Sequence, residues 1–249
     1  MAPIKAEAMI PTWLHLLAIL SLAAGIGIAA WIAWDERRSP QHMWIMNIVW
    51  PVTALFGTFI ALWGYLRYGR LATRERAMDA GDEPPHKQET PFPVMVAKGA
   101  SHCGSGCALG DLLAEWLAFF LPSVAVWFGW QSLFSEKMFA VWVLDYIFAF
   151  ALGVAFQYFT IKPMRKLDVR QGLIQAVKAD TLSLTAWQVG MYGFMAVAQF
   201  WLFRHVLGMR LEVPTAEFWF MMQLAMIAGF LTSYPVNWWL LKRGIKERM

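Results

Sequence analysis

Apolar residues gather into six runs, near residues 12–33, 43–66, 110–134, 138–161, 182–203 and 216–241. Each approaches or exceeds the roughly 20 residues that a helix needs to cross a bilayer. The pattern predicts an all-α polytopic membrane protein with about six transmembrane helices. The first run, Trp13 to Trp34, is longer than a secretory signal core and has only Lys5 ahead of it, so we read it as a retained membrane helix.

Composition agrees with the runs. Of the 249 residues, 59% are hydrophobic and 15% charged, whereas soluble domains hold about 25% charged residues. The 21 Lys and Arg residues against 17 Asp and Glu would, in water, point to nucleic acid. Their distribution says otherwise. If successive runs cross in turn, the N-terminus, the 67–98 and 162–178 segments and the C-terminus share one side. Only Arg37, Arg38, Lys137, Arg204 and Arg210 then fall on the other. Basic segments stay in the cytoplasm, which predicts N-in/C-in orientation, anionic inner-leaflet lipid as counter-charge, and no nucleic-acid partner. The natural location is a bacterial inner membrane, with oligomerisation left open.

The longest polar stretch, rich in Pro84, Pro85, Pro91 and Pro93, reads as a flexible linker. It divides the chain into a two-helix hairpin (1–76), a cytoplasmic linker (77–97) and a four-helix membrane domain (98–249). Met164, Leu167, Ile174 and Val177, set among basic residues, predict an amphipathic helix lying on the inner surface. Pro51 and Pro235 should kink the second and sixth spans.

Chemistry concentrates in residues 98–116, Lys-Gly-Ala-Ser-His-Cys-Gly-Ser-Gly-Cys-Ala-Leu-Gly-Asp-Leu-Leu-Ala-Glu-Trp. With a helix starting near Ser105 or Gly106, Cys107, Asp111 and Glu115 stand at i, i+4 and i+8, below a glycine loop bearing His102 and Cys103. Thiolate and imidazole donors suit copper, zinc or iron, so the leading expectation is a cytoplasm-facing site that binds or moves a transition metal. Its ligands would be His102, Cys103, Cys107, Asp111 and Glu115, with His42, His86 or water as further donors. A second reading is a membrane enzyme or redox protein whose Cys107 is activated at a helix N-terminus. A third is an assembly subunit in which the glycines turn the linker and the cysteines pack as small apolar residues.

Asp145, Gln188, Tyr192 and Asn237 form a second candidate set inside the spans, either lining a path or joining helices. Met191, Met195, Met221, Met222 and Met226 fit a copper ladder less well than ordinary packing. There is no P-loop, His-Glu-x-x-His or Gly-x-Ser-x-Gly, so no nucleotide cofactor is expected and the commoner hydrolase chemistries lack their motifs.

The run Ser101 to Trp116, followed by Tyr234-Pro-Val-Asn-Trp-Trp-Leu-Leu-Lys-Arg-Gly-Ile-Lys-Glu, resembles a family of bacterial membrane proteins, domain of unknown function 4396, over about residues 95–248. The resemblance implies a four-helix membrane domain opened by the glycine and cysteine motif. It implies no activity.

Overall fold

The computed structural model describes residues 10–79 and 85–247, with only the backbone at 86 and 87. Among these residues the regular structure is helical, with no strand. The elements are α1 (Thr12–Arg38), α2 (Met46–Gly64, continued by tighter and wider turns to Ala72), α3 (Arg74–Asp79), α4 (Pro85–Gln88), α5 (Phe92–Phe120), α6 (Pro122–Trp127), α7 (Lys137–Arg165), α8 (Val169–Ala196, continued as a π-helical stretch Val197–Val206) and α9 (Ala216–Lys242). Four segments, Thr12–Arg38, Met46–Ala72, Lys137–Arg165 and Ala216–Lys242, are long and apolar enough to cross a membrane. Helices α5 and α8 match them in length, at 29 and 28 residues. They turn ionisable side chains into the bundle: Lys98, Asp111 and Glu115 from α5, and Asp180 from α8, are all buried.

Capping explains where the helices begin. Pro91 precedes α5 and Pro93 sits in its first turn, where a missing N–H costs nothing. Asp168 accepts from Gln171 N at 2.7 Å to start α8, and Thr215 Oγ1 accepts from Phe218 N to start α9. Helix α7 ends at Lys166, which takes a left-handed conformation with φ 52° and turns the chain directly into α8.

These starts correct two boundaries. The third long helix begins at Phe92, not near 110, and the Gly/Cys motif lies within it, not in a loop ahead of it. The basic stretch expected to lie on the membrane surface forms instead the end of α7 and the first turns of α8. Both errors have one cause. Hydropathy reports what faces lipid, whereas the small and polar residues of α5 face other helices. Within the expected linker, α3 and α4 are helical, and residues 80–84 lie outside the described residues.

The second apolar run does not extend straight from one end of the bundle to the other, because α2 folds back on itself. Thr58 has φ 42° and ψ −120°, far from helical values. Across this break Trp50 packs edge-on against Tyr65, with ring centroids 5.6 Å apart. A Cβ added at Gly69 would sit 3.0 Å from the same indole. On an unbroken helix residues 50 and 69 would be about 28 Å apart. The segment is therefore a helical hairpin with arms 46–57 and 59–72, about 18 and 21 Å long, each well short of the ~30 Å hydrocarbon thickness. Its base is held where Asp35 of α1 accepts from Tyr65 Oη at 2.7 Å and pairs with Arg70 at 2.6 Å. At its tip Gln223 Nε2 of α9 donates to Leu55 O at 2.6 Å, while Gln223 Oε1 accepts from Ser21 Oγ of α1.

The start of α1 and the finish of α9 also part company. His15 of α1 bonds Glu217 of α9, and Ser21 bonds Gln223, so both helices start at the same end of the bundle. The start of α1 and the finish of α9 therefore lie at opposite ends, contrary to a shared side. The basic end gathers the 39–45 turn, the base of the α2 hairpin, the start of α5, the finish of α7 and the chain terminus: Gln41 bridges Thr73, Trp44 packs on Phe159, Phe92 on Trp238, and Arg165 pairs with Glu247. The main apolar core lies between α8, α9 and α1 and holds Trp187 together with Met191, Met195, Met221, Met222 and Met226, which pack as ordinary core residues.

Candidate functional site

The motif glycines determine how closely the other helices approach α5. A Cβ added at Gly106 would lie 2.8 Å from Gly153 Cα of α7, and one at Gly110 would lie 2.5 Å from Ala149 N. At Gly104 it would meet the Trp187 ring of α8 at 2.1 Å. Small residues at these spacings bring helix backbones into contact, as membrane bundles require. His102 and Asp111, on either side of them, are thereby pressed against α7 and α8, and Ser105 bonds Thr53 and Val49 O of the α2 hairpin, forming a buried seam along α5.

At the end away from the basic end of the bundle, the seam opens into a cavity of about 500 Å³ lined by Glu115, Lys137, Glu136, Gln199, Arg210 and Glu212 among others. Glu115 lies close enough to Lys137 to interact with it, and Lys137 Nζ donates to Ala118 O at 2.8 Å. Below Glu115, Asp111 Oδ1 accepts from Gln188 Nε2 of α8 at 3.1 Å, and its second oxygen has no partner. Asp145 of α7 faces Asp111 and Glu115; it is wholly buried, and neither carboxyl oxygen is hydrogen-bonded. Tyr192 flanks these acids and donates to Trp142 O at 2.9 Å.

Deeper in, Cys107 and Cys103 are both free, both 0% exposed, and adjacent on one helix face. Asp180 of α8 stands beside Cys103, Gln157 and Lys246, with neither oxygen meeting hydrogen-bond geometry. His102 turns to α7, its Nε2 lying 3.0 Å from Thr160 Oγ1. Thr160 also donates to Phe156 O, so its oxygen is free to accept from Nε2–H. His102 Nδ1 then carries a buried lone pair without a partner. At the basic end Asn237 Nδ2 donates to Ser183 Oγ at 2.7 Å, and Asn237 Oδ1 accepts from Lys246 Nζ at 2.7 Å.

The five expected metal ligands thus share a helix without converging. His102 and Glu115 are about 20 Å apart along α5. His102 points to Thr160, Asp111 to Gln188, and Glu115 to the cavity; only the two thiols stand together. Among the described residues no group of three or more His, Cys, Asp or Glu side chains is arranged to hold a metal ion. His42 is exposed at the basic end, and the His86 side chain lies outside the described residues. Cys107 lies deep within α5, so no free helix N-terminus activates it. In the second set, Gln188, Tyr192 and Asn237 all make helix-to-helix hydrogen bonds, and Asp145 makes none.

Sequence reading missed Asp180, Ser183 and Lys246. Asp180 fell between two assumed elements, although Asp180, Gln188 and Tyr192 share one face of α8 at i, i+8 and i+12. Lys246 entered the sequence reading only as part of the basic C-terminal segment.

A family model, Domain of unknown function (DUF4396), matches residues 94–246, more than half of the chain. The chain belongs to this family. The matched region contains the whole seam, from Lys98 to Lys246, whereas α1 and the α2 hairpin lie outside it. No curated protein and no solved structure matches the chain.

Proposed function

We propose that this DUF4396 protein is a membrane transporter that passes a cation along the α5 seam. The observation carrying this reading is the file of buried ionisable residues Glu115, Asp111, Asp145 and Asp180, in which the three aspartates retain unpartnered carboxyl oxygens and which opens at Glu115 into a charged cavity. Ionisable groups inside a membrane bundle are costly, and they mark ion and proton pathways. A helix broken at mid-depth, as α2 is at Thr58, recurs in transporters.

The disposition we propose is five crossings, α1, α5, α7, α8 and α9, with α2 entering and leaving from the basic side. The basic end then lies in the cytoplasm of a bacterial cell, against anionic lipid. This arrangement carries Arg37 and Arg38 to the basic side and leaves Lys137, Arg204 and Arg210 as the described basic residues at the far end. The positive-inside bias strengthens.

Carboxyls alone serve protons and hard cations. The paired thiols of Cys103 and Cys107 beside Asp180 favour a second reading in which a soft ion such as copper(I) is the cargo, taken as substrate and not as resident cofactor. Purified protein in liposomes with an interior pH dye and an interior copper(I) chelator tests both. Asp145→Asn, which preserves shape, should reduce flux at least tenfold; Cys103→Ser with Cys107→Ser should abolish copper uptake alone if the soft ion is the cargo. Flux of neither ion above empty liposomes, or flux indifferent to Asp145→Asn, rejects the reading.

A further inference from the structure

The last described turn of the chain places a positive charge inside the protein. Lys246 is 2% exposed. Its Nζ donates to Gly99 O at 2.9 Å and to Asn237 Oδ1 at 2.7 Å, with Ser183 Oγ at 3.5 Å. These are three uncharged oxygens from three helices, α5, α9 and α8. Among the described residues no carboxylate lies within ion-pair distance of Lys246, and Asp180, one step further up the seam, is near enough to feel its charge.

Burying an ammonium costs several kcal/mol unless its hydrogen bonds are replaced, and a surface lysine would avoid that cost. Here the replacement is built with care. Asn237 is oriented by donating to Ser183 Oγ and Ser233 O, which turns its own carbonyl oxygen toward Nζ. Gly99 adds a backbone carbonyl from within α5. Converging protein oxygens replace the hydration shell of potassium in channel filters, and here a carbonyl, an amide oxygen and a hydroxyl converge on one ammonium.

We propose that Gly99 O, Asn237 Oδ1 and Ser183 Oγ form a monovalent-cation site at the cytoplasmic end of the seam, occupied here by the chain's own Lys246. The C-terminal segment is a tethered cation that stops the seam at that end. The site stands on its geometry; its role as a stopper rests on the transport reading above. Arg165, which pairs with Glu247 and reaches Gly244 O, anchors the tether to the end of α7.

The test uses full-length protein in detergent, with Lys246→Ala to vacate the site and Lys246→Met to fill it without charge. Melting temperature is compared in ammonium, potassium, sodium and choline chloride at equal ionic strength. Lys246→Ala should gain a saturable rise in ammonium or potassium over choline, absent from wild type and from Lys246→Met. If Lys246→Ala can be recovered folded only in ammonium or potassium chloride, the same conclusion follows. Equal melting in all four salts, or aggregation in all four, overturns the site. Liposome flux read in parallel separates the two claims. A gained cation effect with several-fold faster flux supports both. A gained cation effect with no flux from either protein keeps the site and rejects transport.

Discussion

At the residue scale, Gly104, Gly106 and Gly110 matter through the absence of a side chain. Read as a sequence, Gly104 belonged to a loop bearing His102 and Cys103 ahead of a helix that starts near Ser105 or Gly106; in the structure all three glycines are contact points within one helix, and His102 and Asp111 on either side of them are aimed at α7 and α8. A Cβ at Gly110 meets the Ala149 backbone at 2.5 Å, which no side-chain rotation can relieve, whereas one at Gly27 of α1 meets nothing within 4 Å. Gly110→Ala should therefore lower stability by about 1–3 kcal/mol by forcing α5 and α7 apart. Gly27→Ala should be neutral or slightly stabilising, through the better helix propensity of alanine. Thermal unfolding in detergent compares the two; equal melting temperatures would show that the α5 to α7 contact is looser than described. The motif was thus legible as important, while its purpose was not, because a list of residue types does not say which of them will face a neighbouring backbone.

At the element scale the least legible feature was α2. Both arms of the hairpin are apolar, so a hydropathy window adds them into one span, and the reversal at Thr58 is marked only by the single adjoining Gly57, which an apolar helix tolerates. By contrast, α1, α7 and α9 fell where the sequence put them within a few residues, because each presents a long apolar flank to its surroundings. A reversal at mid-depth leaves the last carbonyls of the first arm without helical partners, and in the absence of water each must be satisfied by protein. Gln223 does this for Leu55 O, and Ser21 orients Gln223. Gln223→Met keeps the volume and removes the donor, so it should cost about 1–3 kcal/mol, the usual penalty for a buried acceptor left unpaired. Ser21→Ala, which leaves the Leu55 contact in place, should cost less. Denaturation of both variants checks the order, and a Ser21→Ala loss as large as that of Gln223→Met would mean that the tip is held chiefly from α1.

At the scale of the whole molecule, the hairpin decides which way the N-terminal helix points. A full crossing by α2 would put the 39–45 turn on the opposite side from the start of α5; a hairpin returns the chain to the side it left, which the bridge between Gln41 and Thr73 requires. Basic-residue counting favoured the C-terminal orientation under either arrangement, and so could not choose between them. The choice is open to direct measurement. With both native cysteines replaced by serine, Ser39→Cys and Ser135→Cys report the two ends of the bundle. A membrane-impermeant thiol reagent added to intact spheroplasts should label position 135, in the turn before α7, and leave position 39 unlabelled until the membrane is permeabilised. Labelling of position 39 from outside would restore six crossings and remove the mid-depth break on which the transporter reading partly rests. Protection of 39 together with labelling of 135 would place the charged cavity at Glu115 on the external face, where a cation would first meet the seam.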